Sequence, residues 1–345
     1  MASVASATPI CSAHLPAASI ASVGGSSGRK SRKGTQLNLP RTTVFTAVAV
    51  QASCCVLVSD TALASTRVCQ GQEQHYEQIK AASGPLEINA ALSAAADKGC
   101  VNLARRLLED GASLAARDRL GAMPLTHAAM AGHVEIVELF LARGALIDAR
   151  NLDGSTALFL ASEADNRAAV QTLVAHGADI NLPGRSGLTP IAAAAYMGNE
   201  PLVRLLVENG ADPNATDGTG KTPICYAGGR GFTSVVRLLL DHGVDVNTRY
   251  GHDLTALMWS AGYTEEAGVD DVAKIITLLI DRGARIDDRD DRGRTALMTA
   301  AELGHTAAAE LLISRGANRS LQDKDGKTAS DLTRDEALRA KLAAK

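Results

Sequence analysis

A strict 33-residue period governs what this chain can become. The pair Thr189-Pro190 is echoed at Met123-Pro124, Thr156-Ala157, Thr222-Pro223, Thr255-Ala256, Thr295-Ala296 and Thr328-Ala329, in steps of 33, 33, 33, 33, 40 and 33 residues. A closing glycine keeps the same rhythm at Gly111, Gly144, Gly177, Gly210, Gly243, Gly283 and Gly316. Two independent markers share one period and one interruption, so the repetition is a property of the fold. Within residues 187–212 a turn leads to a short apolar run, Ile191 to Ala195. A break at Gly198-Asn199 follows, then a second run from Leu202 to Val207 and a stop at Gly210. That pattern predicts a helix, a tight turn and a second helix. One such pair cannot bury its apolar face alone, so the units must stack into an all-α solenoid. Aromatic residues make up only 3% of the chain, and small aliphatics carry the apolar share, which suits thin helical layers.

The period sets the boundaries. Residues 87–119 form a first unit without the Thr-Pro start, as expected of a terminal repeat that must face water. Units follow at 120–152, 153–185, 186–218, 219–251, 252–291 and 292–324, the sixth carrying seven extra residues near 264–271. Residues 325–345 read as a partial repeat that turns polar and caps the end, and residues 65–86 as a polar N-terminal extension.

Residues 1–64 read as an address. They hold Arg29, Lys30, Arg32, Lys33 and Arg41 against Asp60 alone, then an uncharged apolar run at 42–58 and an Ala62-Leu63-Ala64 exit. Basic segment, apolar run and A-x-A site describe a cleavable signal peptide, cut after Ala64. The run is marginal for spanning a bilayer, so no membrane insertion of the mature chain is expected. The long lead-in before the run leaves two readings of cleavage open: a bacterial precursor bound for the periplasm or secretion, or a plastid transit peptide leading to the thylakoid lumen. An uncleaved anchor or tail is the third. Gln51 stands where a lipoprotein site before Cys54 wants an aliphatic residue. Export would place Cys69 and Cys100 in an oxidising compartment. A disulfide between them, pinning the extension over the end of the array, is one expectation, and two free thiols the other. Cys225 reads as a small buried apolar residue.

With these residues set out, the array resembles the ankyrin repeats. The matching signs are G-x-T-P/A-L near each start, Gly132-His133, Gly198-Asn199 and Gly304-His305 at the mid-turn, and L-L/V-x-x-G-A at each end. The resemblance covers about 87–345. It implies antiparallel helix pairs joined by finger-like turns, with first helices and fingers lining a concave face. In one place the chain departs from the family. The fourth position of T-P-L-H holds Thr126, Phe159, Ala192, Cys225, Met258 and Met298. The family's His bridges backbone groups at the turn, so looser fingers are expected here. Asp118, Asp217, Asp290 and Asp323 stand before the turns, where a carboxylate accepts local N–H groups. His176 and His242 precede closing glycines, where they meet the last carbonyls of a helix.

Chemistry is sparse. Residues 215–222, ATDGTGKT, imitate a phosphate loop but fall in register with the finger turns, without the strand and long helix that such a loop needs. No H-x-x-x-H or C-x-x-C occurs, so no metal site is expected. The acidic pairs Asp270-Asp271 and Asp290-Asp291 are expected to be solvated loop charges. Neither catalytic residues nor a cofactor are indicated, and a one-layer solenoid offers no convergent pocket for an enzyme or small-ligand protein. The net charge is −3, and with a basic leader the remainder is more acidic still, so nucleic acid is not an expected partner.

What remains is recognition of another protein by a monomeric array, or a weaker many-partner scaffold of the envelope. In the family, targets touch fingers and exposed helix ends. Carried over, these positions include Met130, Tyr196, Met197, Arg230 and Tyr263 at helix ends, and Leu188, Lys221, His252 and Arg294 on fingers. Tyr196, Met197, Arg230 and Tyr263 are the expected hot spot, since exposed Tyr, Met and Arg anchor interfaces. Tyr226 and Trp259 are expected to pack between adjacent first helices.

Overall fold

The computed structural model describes residues 66–263 and 267–343, all within one compact unit spanning 55–345. The leader, its apolar run at 42–58 and the expected cleavage after Ala64 lie outside these residues, as does 264–266 of the insertion. A lead-in helix, α1 (residues 66–79), is followed by helix pairs. These are α2 (Pro85–Lys98) with α3 (Val101–Glu109), α4 (Pro124–Ala131) with α5 (Val134–Ala142), and α6 (Ala157–Glu163) with α7 (Arg167–Ala175). Next come α8 (Pro190–Tyr196) with α9 (Glu200–Glu208), α10 (Pro223–Gly229) with α11 (Thr233–Asp241), and α12 (Ala256–Ala261) with α13 (Val269–Asp281). The stack ends with α14 (Ala296–Leu303) and α15 (Thr306–Ser314), then α16 (Ala329–Leu332) and α17 (Glu336–Ala343). No strand occurs among the described residues, and no helix there is long and apolar enough to cross a membrane.

Helices of seven to nine residues are too short to persist alone in water, so packing must hold them. The Thr-Pro/Ala pair starts each inner helix. Thr156, Thr189, Thr255 and Thr295 accept N–H bonds at their Oγ1 from Phe159, Ala192, Met258 and Met298, and proline takes the first helical position in α4, α8 and α10. Each inner helix touches the inner helices before and after it and its own outer helix. It therefore has little free surface: in α8 every residue from Pro190 to Ala195 is buried. Alanines let those backbones approach from several sides at once. The outer helices bury one stripe, such as Leu202, Val203 and Leu206 in α9, and turn Arg204 and Glu208 outward.

Registration between layers comes from hydrogen bonds that cross repeat boundaries. Asn181 accepts the N–H of Asp212 and donates to Gly210 O, and Asn247 does the same for Arg285 and Gly283. At the mid-turns Asn166 donates to Met130 O at 2.6 Å, and His133 and His305 reach Asp97 O and Ala261 O at 3.1 and 2.9 Å. This explains the mid-turn glycines twice over. Gly132 and Gly198 have φ of 79° and 73°, and a Cβ on them would lie 2.6 Å from Asn166 Oδ1 and 2.5 Å from the Phe232 ring.

The first and sixth units depart from the period in informative ways. Helix α2 begins at Pro85, two residues ahead of the boundary set by the period, and runs 14 residues to Gly99, with no finger before it. The extension is helical. Tyr76 is buried in the core and donates to Asp110 Oδ2 at 2.8 Å, Lys80 pairs with the same carboxylate, and Glu77 pairs with Arg106. Cys69 and Cys100 are joined in a disulfide with Cα atoms 5.2 Å apart. In the sixth unit the outer helix has 13 residues against nine in its neighbours, so the insertion is partly absorbed as an extra turn. Asp270 and Asp271 sit on that first turn, where the helix dipole favours them. They are helical charges, not the loop charges expected. At the other end Leu338 and Leu342 are buried while Glu336, Arg339 and Lys341 face water, which makes α17 a cap.

Reducing the disulfide should loosen α1 alone. Closing a loop of this length contributes on the order of 3 kcal/mol, and repeats feel only their neighbours. Amide exchange over 66–79 is expected to rise on reduction while α8–α13 keep their protection; loss of protection in both regions would contradict this. Gly198→Ala should lower stability by about 2 kcal/mol or more, because positive φ and the Phe232 contact add, as read by urea denaturation.

Candidate functional site: the fingers and the concave face

The fingers are closed by side-chain carbonyl and carboxylate oxygens. Asp118 Oδ1 accepts the N–H groups of Leu120 and Ala122, both at 2.8 Å. Asp217 takes those of Thr219 and Lys221, Asp290 those of Arg292 and Arg294, and Asp323 those of Asp325 and Lys327. Asn151 performs the same function with a neutral amide. The outer oxygen is taken as well: His127 Nε2 lies 3.0 Å from Asp118 Oδ2, and Tyr226 OH donates to Asp217. These partners sit one position beyond the place where the family carries its His, so a neighbouring slot supplies the bridge whose absence suggested loose fingers. Asp290 is buried, not solvated as expected.

Two fingers lack that oxygen, because Gly184 and Tyr250 occupy its slot. They close by Gly184 N–H to Leu188 O and Tyr250 N–H to Leu254 O, both at 2.9 Å. Ser186, His252 and Asp253 are forced to φ of 57°, 63° and 57° there, a region costly for residues with a Cβ.

Of the positions singled out in the sequence, Tyr196, Lys221 and Arg230 are brought together. The Arg230 guanidinium lies 4.2 Å from the Tyr196 ring centre and 5.7 Å from that of Phe232. Tyr196 meets Tyr226 edge-on at 5.7 Å, and the Lys221 ammonium lies over Trp259 and Tyr226 at 5.2 and 5.7 Å. Cations on aromatic faces hold these side chains in one patch. Tyr196 is 41% exposed and its neighbour Met197 53%. Tyr226 and Trp259 are half-buried and belong to this patch. The other positions stand apart from it. Met130 is 41% exposed two repeats earlier, and Leu188 is half-buried in a strained finger. His252 is exposed with Nδ1 2.9 Å from Asp291, and Tyr263 stacks on His305 at 3.8 Å. Arg294 is largely covered, pairs with Glu302 and lies 3.4 Å from Asp323, so it holds the next finger. Exposed Leu120 stands among the finger positions that the family resemblance singles out, whereas exposed Leu86 escaped the sequence reading; the Gly84-Pro85 helix start is the signal that points to it.

Electrostatics matches this construction. Burial works against the Asp217 charge, yet the Tyr226 hydroxyl and the N–H groups of Lys221 and Thr219 hold its carboxyl below the usual range. The Lys327 N–H, chief among several donors, lowers Asp323 likewise. Burial pushes the free thiol of Cys225 up to about 11, leaving it inert at neutral pH. The phosphate-loop look-alike has spent its donors: Gly218 N–H bonds Ser186 O, Gly220 N–H bonds Asp217 O, and α10 behind it has seven residues.

A single layer of helix pairs, with fingers and inner-helix ends on one side, defines a repeat solenoid built for contact. The family model described as ankyrin repeats (3 copies) matches overlapping stretches at 72–151, 92–184, 125–217, 191–274 and 266–332. The chain belongs to the ankyrin-repeat family. The comparison with curated proteins returns no match.

Asp217→Asn should keep the finger closed, as Asn151 does, whereas Asp217→Ala removes the acceptor of the Thr219 and Lys221 N–H groups and costs about 0.5–1.5 kcal/mol for each bond lost. The folded pKa lies below the unfolded value, so the charge stabilises above about pH 4 and that contribution fades as pH falls through the folded pKa. Acid titration of stability should therefore be shallower for the Asn variant, measured by thermal melts from pH 7 to 3.

Proposed function

We propose that this array binds a partner protein through the middle of its concave face and has no catalysis of its own. Ankyrin repeats in general serve as protein-interaction modules, and the chain has the fold for that role. The observation that carries the placement is the patch of Tyr196, Tyr226, Trp259, Lys221 and Arg230. Its aromatic and cationic groups are held rigid by one another, so little side-chain entropy is lost on contact. We infer further that the chain acts as a monomer in an exported, oxidising setting, the periplasm or outside the cell. The basic and apolar leader supports export, as does pairing of Cys69 with Cys100 while Cys225 is buried out of reach.

A photo-reactive residue placed at Tyr196 is expected to form discrete protein adducts in the native compartment, and one at Glu138 on the outer face of α5 to form none. Tyr196→Ala with Arg230→Glu should abolish those adducts from a second probe at Lys221 while leaving Tm unchanged. Undiminished adducts from that variant would discard the patch.

A further inference from the structure

The fingers are linked to one another by a ladder of backbone hydrogen bonds, and that ladder has an unfilled first rung. One residue at the same place in each finger donates its N–H to the finger before it. Leu152 donates to Leu120 O at 2.9 Å, Gly218 to Ser186 O at 3.0 Å, Gly251 to Gly220 O at 3.1 Å, Asp291 to His252 O at 3.1 Å and Lys324 to Arg292 O at 2.9 Å. Arg185 reaches Ser155 Oγ instead, at 3.2 Å. The same position in the first finger is Arg119. No finger precedes it, because Pro85 stands where a finger carboxylate would stand and residues 85–98 continue as one helix. The Arg119 N–H accordingly finds no acceptor among the described residues, and its guanidinium finds no carboxylate there.

Beside this edge lies a groove of about 1080 Å³ between α2 and the first finger. Its apolar lining includes Leu86, Ala90, Leu120 and Met130. Leu86 is 78% exposed, Leu120 65%, and Leu152 on the next finger 77%. Large aliphatics so exposed, clustered on one end of one face, mark a contact surface. The acidic groups at the groove are already engaged: Asp97 with Lys98, and Asp118 with His127 and its own finger. The charge left unanswered is positive.

We propose that this end of the concave face docks an extended segment of a partner protein in which a large aliphatic residue lies next to a carboxylate. The segment continues the ladder: a backbone carbonyl accepts the Arg119 N–H, in the way a peptide extends the edge of a sheet. The carboxylate pairs with the Arg119 guanidinium through the two-pronged geometry that arginine favours. The aliphatic side chain fills the space between Leu86, Leu120 and Met130. The proposal rests on the reading of the chain as a protein-binding array, but it concerns a different surface from the Tyr196 patch.

A random 12-residue peptide library displayed on phage and panned against the full chain tests it. Enriched peptides are expected to share an acidic residue beside Leu, Ile or Met. Fluorescence anisotropy of the best peptide should show affinity falling about tenfold or more with Arg119→Glu and with Leu120→Ser, and no change with Tyr196→Ala. A peptide with Lys in place of its acid should regain binding to Arg119→Glu. Both variants lie on exposed positions, and circular dichroism checks that they remain folded. Binding lost with Tyr196→Ala but indifferent to the groove variants would overturn the proposal and leave the central patch standing. A dimer broken by Leu120→Ser, or peptide binding that emerges only when residues 1–65 are deleted, would overturn it too, by making a second copy or the chain's own start the occupant.

Discussion

Each layer of this molecule can bury its oily side only against the layer before and the layer after. Inner helices such as α8, with every residue from Pro190 to Ala195 buried, have no solvent face to spare on the core side. The side chains there must be small, and the backbone must turn within two or three residues to return beside itself. From that follow the glycines at positive φ, the threonine caps and the near absence of aromatics. The ends are the exception. A layer with one neighbour must find another cover, and the chain supplies α1 at one end and α17 at the other. Tyr76 enters the core as the largest fully buried side chain of the lead-in helix, and the disulfide holds that helix where nearest-neighbour packing alone is weakest.

Most of the fold was legible because its determinants are local and repeated. Thr189-Pro190 and Gly210 announce a helix start and a helix stop wherever they recur, and seven occurrences of each leave no ambiguity of type. The finger carboxylates were legible for the same reason, since Asp118 and Asp217 meet N–H groups two and four residues on. What escaped was contact between repeats. That Arg294 would hold Asp323 of the next finger rather than a partner depends on where a neighbouring layer places that finger. No period in one dimension carries that. The extra turn of α13 was missed because an insertion reads as a loop by default, although Asp270 and Asp271 are the residues that a helix start prefers.

The proposed binding surface illustrates the same boundary. Residue type and the family resemblance put Tyr196, Met197, Arg230 and Tyr263 forward as one hot spot, with Lys221, His252 and Arg294 as finger contacts beside it. The structure sorts them by what already holds them. Tyr263 is stacked on His305 and Arg294 is covered by two acids, so removing either for a partner would expose a bonded group. Lys221 lies over the Tyr226 and Trp259 rings, and the Arg230 guanidinium covers the Tyr196 ring. The Lys221 ammonium on its aromatic faces keeps its hydrogen-bonding capacity, whereas Arg294 in its salt bridges has spent much of its own.

The fingers are not uniform, and the difference has a mechanical meaning. Where Asp, or Asn at position 151, closes the turn, one glycine takes the positive φ and the loop is unstrained. Where Gly184 and Tyr250 replace that oxygen, Ser186, His252 and Asp253 must adopt the left-handed region themselves. These two fingers flank the one bearing Lys221, so the central patch is bordered on both sides by turns that store strain while its own finger is closed by four hydrogen bonds to Asp217. A partner settling on the middle of the face would meet a fixed centre between two flanks whose backbone gains from rearrangement. Under the proposed function, the centre would supply recognition with a geometry already set in the free protein, while the strained flanks would supply adjustment.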